Sequence, residues 1–326
     1  RNPYDVDGDS FSEIGKLNMN TFGLRAYYRP TQFSRLNIEY HTTNEFRRGG
    51  NKFDLEPFES DITEQTKHVI NSGGLTYDLF WKEYKHKLSF FASSQHVDRN
   101  SYYGAQQDPN AYGKTKDLTF VGGGMYVGNF DKVLFSPATF TAGMEYQHNN
   151  MHDIMAGYNR DLEQKVRIAS AFFQNEWKMN DLTLLAGFRL DDHNLIDNLI
   201  FSPRVNMLYK PSDAFQGRLT WSTGFRAPQA YDEDLHITAV GGEGVLIHLA
   251  DGLKPEKSNS FSGSVDLSGQ IGHFQTNLLI EGFYTSLKDV FYLQNVGVDN
   301  QGNTLQERRN GSGAKVYGVN IDGKIA

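Results

Sequence analysis

The sequence predicts an all-β protein, an antiparallel transmembrane β-barrel segment of about thirteen strands. Three observations predict it. Apolar and polar residues alternate with a period of two almost throughout, and helical periodicity is nearly absent. The connections between alternating segments are short and long by turns. The segments also exceed the roughly 5–6 residues of a soluble strand and suit a tilted bilayer crossing.

The strands are read, in order, at about 17–29, 35–46, 65–80, 86–97, 115–128, 138–148, 164–178, 182–190, 199–210, 215–227, 256–268, 272–292 and 306–325. The eighth shows the pattern plainly. Leu182, Leu184, Ala186, Phe188 and Leu190 share one face; Thr183, Leu185, Gly187 and Arg189 share the other. Short turns lie near Pro30, between Trp81 and Lys85, and near Asn180, Ser212 and Gly269. Long polar loops are read at about 47–64, 98–114, 149–163, 191–198, 228–255 and 293–305. A soluble sandwich gives no reason to keep its long loops on one side. An outer-membrane barrel does, with short turns inside the cell envelope and long loops outside.

The apolar phase ends in Tyr28, Trp177, Tyr209 and Trp221, the aromatics of an interfacial girdle. The opposite phase carries Arg25, Glu39, Glu145, Glu176, Arg189, Arg204, Arg218, Arg226, Asp266 and Glu281. Each such charge facing lipid would cost about 2–4 kcal/mol at the midplane, so this face should line a lumen. Thirteen strands do not close a bacterial barrel, where counts are even. Residues 1–326 are therefore expected to be a partial transmembrane barrel domain, with an N-terminal plug and C-terminal strands not present.

Composition narrows the function. The net charge of −7 includes no basic stripe, so nucleic acid is not an expected partner. Absence of cysteine excludes disulfides and thiolate metal sites. No apolar run approaches the roughly 18 residues of a spanning helix. There is no nucleophile elbow, zinc-protease motif or P-loop, so no enzyme is expected.

Four segments in this order resemble the TonB-dependent outer-membrane receptors, especially those of the Bacteroidetes type. They are FSPRVNMLYKPSD (201–213), GFRAPQAYDEDL (224–235), LKPEKSNSF (253–261) and AKVYGVNIDG (314–323). The hairpin FFQNEWKMNDLTLLAGFRLDDH (172–193) is similar to the same family's mid-barrel hairpin. The resemblance implies a plugged, 22-stranded barrel in a Gram-negative outer membrane, embedded in outer-membrane lipid. It implies coupling to the TonB complex through the plug and active import of a scarce metal chelate. Ferric siderophore is the leading cargo; haem and cobalamin are alternatives within the family, and a plug-less passive porin is the alternative outside it. Arg204, Arg218 and Arg226 are then the candidate contacts to lumen or plug, since a guanidinium can pair with a carboxylate in bidentate fashion. Pro228 cannot donate to the ladder and ends its strand.

Candidate ligand residues follow from side-chain chemistry. The loop after Pro228 holds Tyr231, Asp232, Glu233, Asp234, His236 and His248. The resemblance implies that a histidine in this interval contacts haem iron in haem receptors, and the second box, LADGLKPE (249–256), matches that pattern only in part. Tyr102, Tyr103 and Tyr112 could stack on a planar chelate from the 98–114 loop. His148, Met151, His152 and Met155 join imidazole to thioether, which suits copper or haem iron. Asp5, Asp7 and Asp9 alternate as hard oxygen donors that suit calcium. The EF-hand template fails there, with Ser10 at its sixth position and Lys16 at its twelfth. No cofactor is otherwise required.

Overall fold

A computed structural model describes residues 1–229, 245–300 and 302–325. Its strands are β1 (Ser12–Tyr28), β2 (Ser34–Gly50), β3 (Ile62–Trp81), β4 (His86–Ala105), β5 (Tyr112–Val133), β6 (Ser136–Met155), β7 (Arg160–Met179) and β8 (Leu182–His193). They continue as β9 (Ile200–Ser212), β10 (Phe215–Arg226), β11 (Val245–Leu249), β12 (Glu256–Ile271), β13 (Phe274–Lys288), β14 (Phe291–Val298), β15 (Thr304–Asn310) and β16 (Ala314–Ile325).

Thirteen of these strands form one sheet in the order β1 to β10, then β12, β13 and β16, with neighbours antiparallel. The count agrees with the sequence, but its composition differs. The segment read as one strand over 306–325 is two: β15 leaves the main sheet and β16 stays in it. β15 pairs with β14 and, in parallel, with β11, forming a second sheet of three strands at the long-loop end.

Register sorts side chains onto two faces, because successive residues of a strand point opposite ways. Phe140, Phe173, Phe188 and Phe201 cross four strands on the apolar face, with ring centroids 4.9, 5.8 and 5.6 Å apart. Many apolar residues of this face are open to the surroundings, including Phe22, Leu24, Met144, Leu219 and Ile321. An exposed face of that kind is stable only where lipid covers it.

The polar face is held by ion pairs that cross strands. Arg25 pairs with Glu39 at 2.8 Å. Buried Asp78 accepts from Arg35 at 2.8 Å and from Ser89 at 2.6 Å, with Lys87 at 3.1 Å. Arg189 bonds to Glu145, Asp191 and Ser170 at 2.7–2.8 Å. Phe172 fits on this face over a glycine. A Cβ added at Gly143 would lie 2.5 Å from the ring of Phe172.

β3 to β7 run for 20–22 residues, well beyond the strands read from sequence. Much of what reads as loop over 98–114 and 149–163 is strand. The connection between β4 and β5 is 106–111, and that between β6 and β7 is 156–159. These extensions have polar residues on both faces, so apolar alternation does not mark them.

Candidate functional site

The extensions of β4 to β7 build a small core of their own. Tyr102, Tyr103, Ala111, Met155 and Tyr158 are buried together, and Leu246 of β11 packs against them. The Tyr102 hydroxyl donates to the Asp108 carbonyl at 2.9 Å, and the Tyr158 hydroxyl donates to the Asp108 carboxylate at 2.5 Å. Burial pushes the Tyr102 hydroxyl up to about 12, helped by the nearby Asp108 charge. The three tyrosines therefore divide. Tyr102 and Tyr103 are core residues, closed to any ligand, whereas Tyr112 is 43% exposed.

Beside this core sits a buried charge network that the sequence does not reveal. Asp153 accepts from Thr115 at 2.5 Å and from Arg160 at 2.8 Å, with Arg99 at 3.4 Å. Arg99 also donates to Thr115 at 2.6 Å. Four strands meet here, and only their register brings the residues together.

The proposed imidazole–thioether cluster does not assemble. His148, Met151 and His152 all lie in β6, where alternation sends Met151 to the polar face and both histidines to the other. Met151 is buried, and His152 pairs with Asp161 at 2.6 Å. Met155 belongs to the tyrosine core.

The polar face opens into a hollow of about 310 Å³ just below that core, lined by His68, Arg99, Met151, Gln164 and Gln229 among others. Farther along the same face stand Arg204 and Arg218, both exposed. Arg204 donates to Gln174, while Arg218 faces Ser264 of β12 and Leu208 of β9 and enters no ion pair among the described residues.

Arg226 stands directly opposite Glu256 in the register of β10 and β12. The Gly-Phe-Arg-Ala-Pro and Leu-Lys-Pro-Glu segments thus meet as one ion pair, 3.6 Å between the nearest charged atoms. Arg226 and Arg308 both lie over the ring of Phe291, at 5.6 and 6.0 Å, and Glu256 accepts the Phe291 N–H. Arg308 also donates to the Gln229 carbonyl at 2.9 Å. The junction that releases the chain after Pro228 is therefore clamped to the second sheet.

Tyr231, Asp232, Glu233, Asp234 and His236 lie outside the described residues. His248 is exposed in β11, opposite Glu307 of β15. In the N-terminal loop the oxygens of Asp5, Asp7, Asp9 and Glu13 come within 4.8 Å of one another. The same carboxylates accept backbone N–H groups from Gly8, Ser10, Asp9, Phe11 and Val6.

A two-faced antiparallel sheet of this length, with short turns at one end and a built crown at the other, can be compared with known barrels. The family described as TonB dependent receptor-like, beta-barrel matches residues 2–326. This chain belongs to that family. The TonB-dependent receptors are outer-membrane transporters of Gram-negative bacteria and not enzymes, so the long-connection end of the sheet faces outside and the polar face lines the lumen. Comparison with curated proteins finds no match. Among solved structures, the siderophore receptor PirA from Pseudomonas aeruginosa superimposes with a TM-score of 0.75 at 16% identity, over 94% of this chain and 53% of that one. A variant of the ferric enterobactin receptor PfeA from the same organism gives 0.71 at 15% identity, over 98% and 50%. The alcaligin outer-membrane receptor FauA from Bordetella pertussis gives 0.66 at 13%, over 96% and 51%. This TonB-dependent barrel chain spans about half the length of the structures it resembles, and at such identities the likeness shows the fold alone.

Proposed function

We propose that the chain forms part of the wall of an active importer of a ferric siderophore, driven by the TonB complex through a plug domain. The observation that carries this reading is the two exposed arginines of the lumen face, Arg204 and Arg218, which enter no ion pair among the described residues. The hollow beside Arg99 and Gln229 lies under the crown, and exposed Arg204 and Arg218 continue along the same face. Cations placed in a narrow lumen raise the local concentration of an anionic ligand, and ferric chelates with catecholate or carboxylate donors are anionic. Siderophore receptors as the structural neighbours support the same cargo class. Haem gains no such support, because His248 stands apart from these arginines on the outer sheet.

The test is direct binding of the intact receptor, in detergent, to ferric siderophores, haemin and cobalamin. Anionic ferric siderophores bind, and the Arg204→Gln, Arg218→Gln double variant weakens them by roughly tenfold and makes binding less dependent on salt. Haemin or cobalamin binding with no response to the double variant would overturn the cargo assignment.

A further inference from the structure

The outward face of β9, β10, β12 and β13 carries charge in an arrangement that strand pairing does not favour. Lys257 of β12 stands directly opposite Lys288 of β13. Both point away from the lumen, since their neighbours Glu256 and Leu287 occupy the inward phase. Like charges directly opposite one another destabilise a sheet. Two outward lysines elsewhere on the outer rim face a carboxylate instead. Lys116 stands opposite Asp98, and Lys165 pairs with Glu163 at 2.6 Å. A third lysine, Lys254, joins Lys257 and Lys288 in lining one hollow of about 750 Å³. All three are exposed and enter no ion pair among the described residues, and Asp289 is the one carboxylate in the lining.

The floor of this hollow is apolar. Leu199, Phe201, Pro203 and Phe225 line it below the lysines, at the level where the exposed aromatic row begins. A second hollow, of about 770 Å³, lies farther along the same face. Trp221 joins the two: its indole N–H donates to Asn259, which lines the upper hollow, while its ring stacks on Phe261 in the lower. The lower hollow exists because Gly263 and Gly282 face each other across β12 and β13 without side chains, between Leu219 and Tyr284.

We infer that this face is a binding site for a phosphate-bearing lipid of the outer leaflet, its headgroup held by Lys254, Lys257 and Lys288 and an acyl chain lying in the glycine-floored groove. Charge complementarity selects the anionic headgroup. A phosphate would relieve the repulsion between Lys257 and Lys288, since three lysines line the hollow against the single carboxylate of Asp289, and basic residues at a bilayer surface attract anionic lipid in the same way. The apolar floor and the neighbouring apolar hollow select a membrane amphiphile over free phosphate. The site lies on the opposite face of the wall from the lumen arginines, so it can fail without affecting cargo binding.

The experiment delipidates the intact receptor in detergent and follows melting with added lipid A, dephosphorylated lipid A or inorganic phosphate. Lipid A raises the melting temperature; the dephosphorylated form and inorganic phosphate do not. In the Lys257→Gln, Lys288→Gln double variant, the lipid A concentration giving half the effect rises by about thirtyfold, at roughly 1 kcal/mol per lysine near a lipid surface. Without lipid the double variant melts no lower than the parent, because the opposed charges are gone; this separates lost binding from lost folding. Equal stabilisation of parent and double variant, or equal stabilisation by the dephosphorylated form, would overturn the site. Stabilisation by inorganic phosphate alone would reassign it to a free anion.

Discussion

The long-strand sector, β3 to β7, and the short-strand sector, β8 to β10, solve the same problem in different ways. A tilted strand needs about 9–11 residues to cross the bilayer. β8, β9 and β10 have 12 or 13 and stop soon after the crossing. β3 to β7 continue for most of another crossing length and must then be stable in water. They manage it with what a small soluble domain uses: a buried aromatic core and a satisfied polar network. The short sector ends instead on one ion pair and a stacked ring. Lipid supplies the apolar environment for one sector's full length and for only half of the other's.

The largest effect should come from the network of the long sector. Asp153 is 2% exposed and receives Thr115 and Arg160, with Arg99 beside it. Asp153→Ala leaves buried guanidinium charge uncompensated, at a cost of about 3–5 kcal/mol. The loss should stay local. Proteinase K should cut the tips at 106–111 and 156–159 in intact outer membranes, while the heat-modifiable mobility of the folded barrel persists. Loss of the folded band as well would mean that crown and barrel fold as one unit.

A smaller effect follows from pH. The Tyr102 hydroxyl is held neutral by burial, with its pKa moved from 10.0 to about 12. The folded crown therefore holds a proton that the unfolded chain releases first. Its stabilisation is complete below pH 10 and is lost as the pH rises through the interval from 10 to about 12. Protease sensitivity of the crown should rise in that window and tyrosinate absorbance should rise with it. Tyr102→Phe loses the hydrogen bond to Asp108 but removes this titration, so its crown should be less sensitive to alkali than the parent's. An unchanged alkaline profile in that variant would assign the transition to another tyrosine.

The same contrast explains what was legible in the sequence. Inside the bilayer one face must be apolar and the other need not be, so alternation in 182–190 and 215–227 reports strand, face and register together. Arg189, Arg204 and Arg226 fall on the inward phase as read. Above the bilayer both faces are wet or packed against protein, and the signal vanishes. Tyr102 and Tyr103 read as loop aromatics although adjacent residues of β4 are buried on both faces there. His148, Met151 and His152 read as neighbours because spacing in a loop says nothing of face, whereas β6 separates them. The Asp153 network and the Lys257–Lys288 opposition depend on pairing between strands, which no single segment encodes.

The smallest effect belongs to the short sector, and it decides what Arg226 does. The side chains of Arg226 and Glu256 are 39% and 12% exposed. A half-exposed pair with charged atoms 3.6 Å apart should contribute about 1 kcal/mol or less in a double-mutant cycle. The single changes need not be equal. Glu256→Gln keeps an acceptor for the Phe291 N–H, whereas Glu256→Ala also frees the start of β14 and should cost more. Arg226→Lys keeps the charge but loses the flat guanidinium over Phe291, so it should resemble Glu256→Ala more than Glu256→Gln in loosening the outer sheet. A cycle with measurable coupling to Glu256 places Arg226 in the wall as a clamp for the junction. Zero coupling, together with slower cargo uptake in Arg226→Lys, would place its working partner on the plug instead.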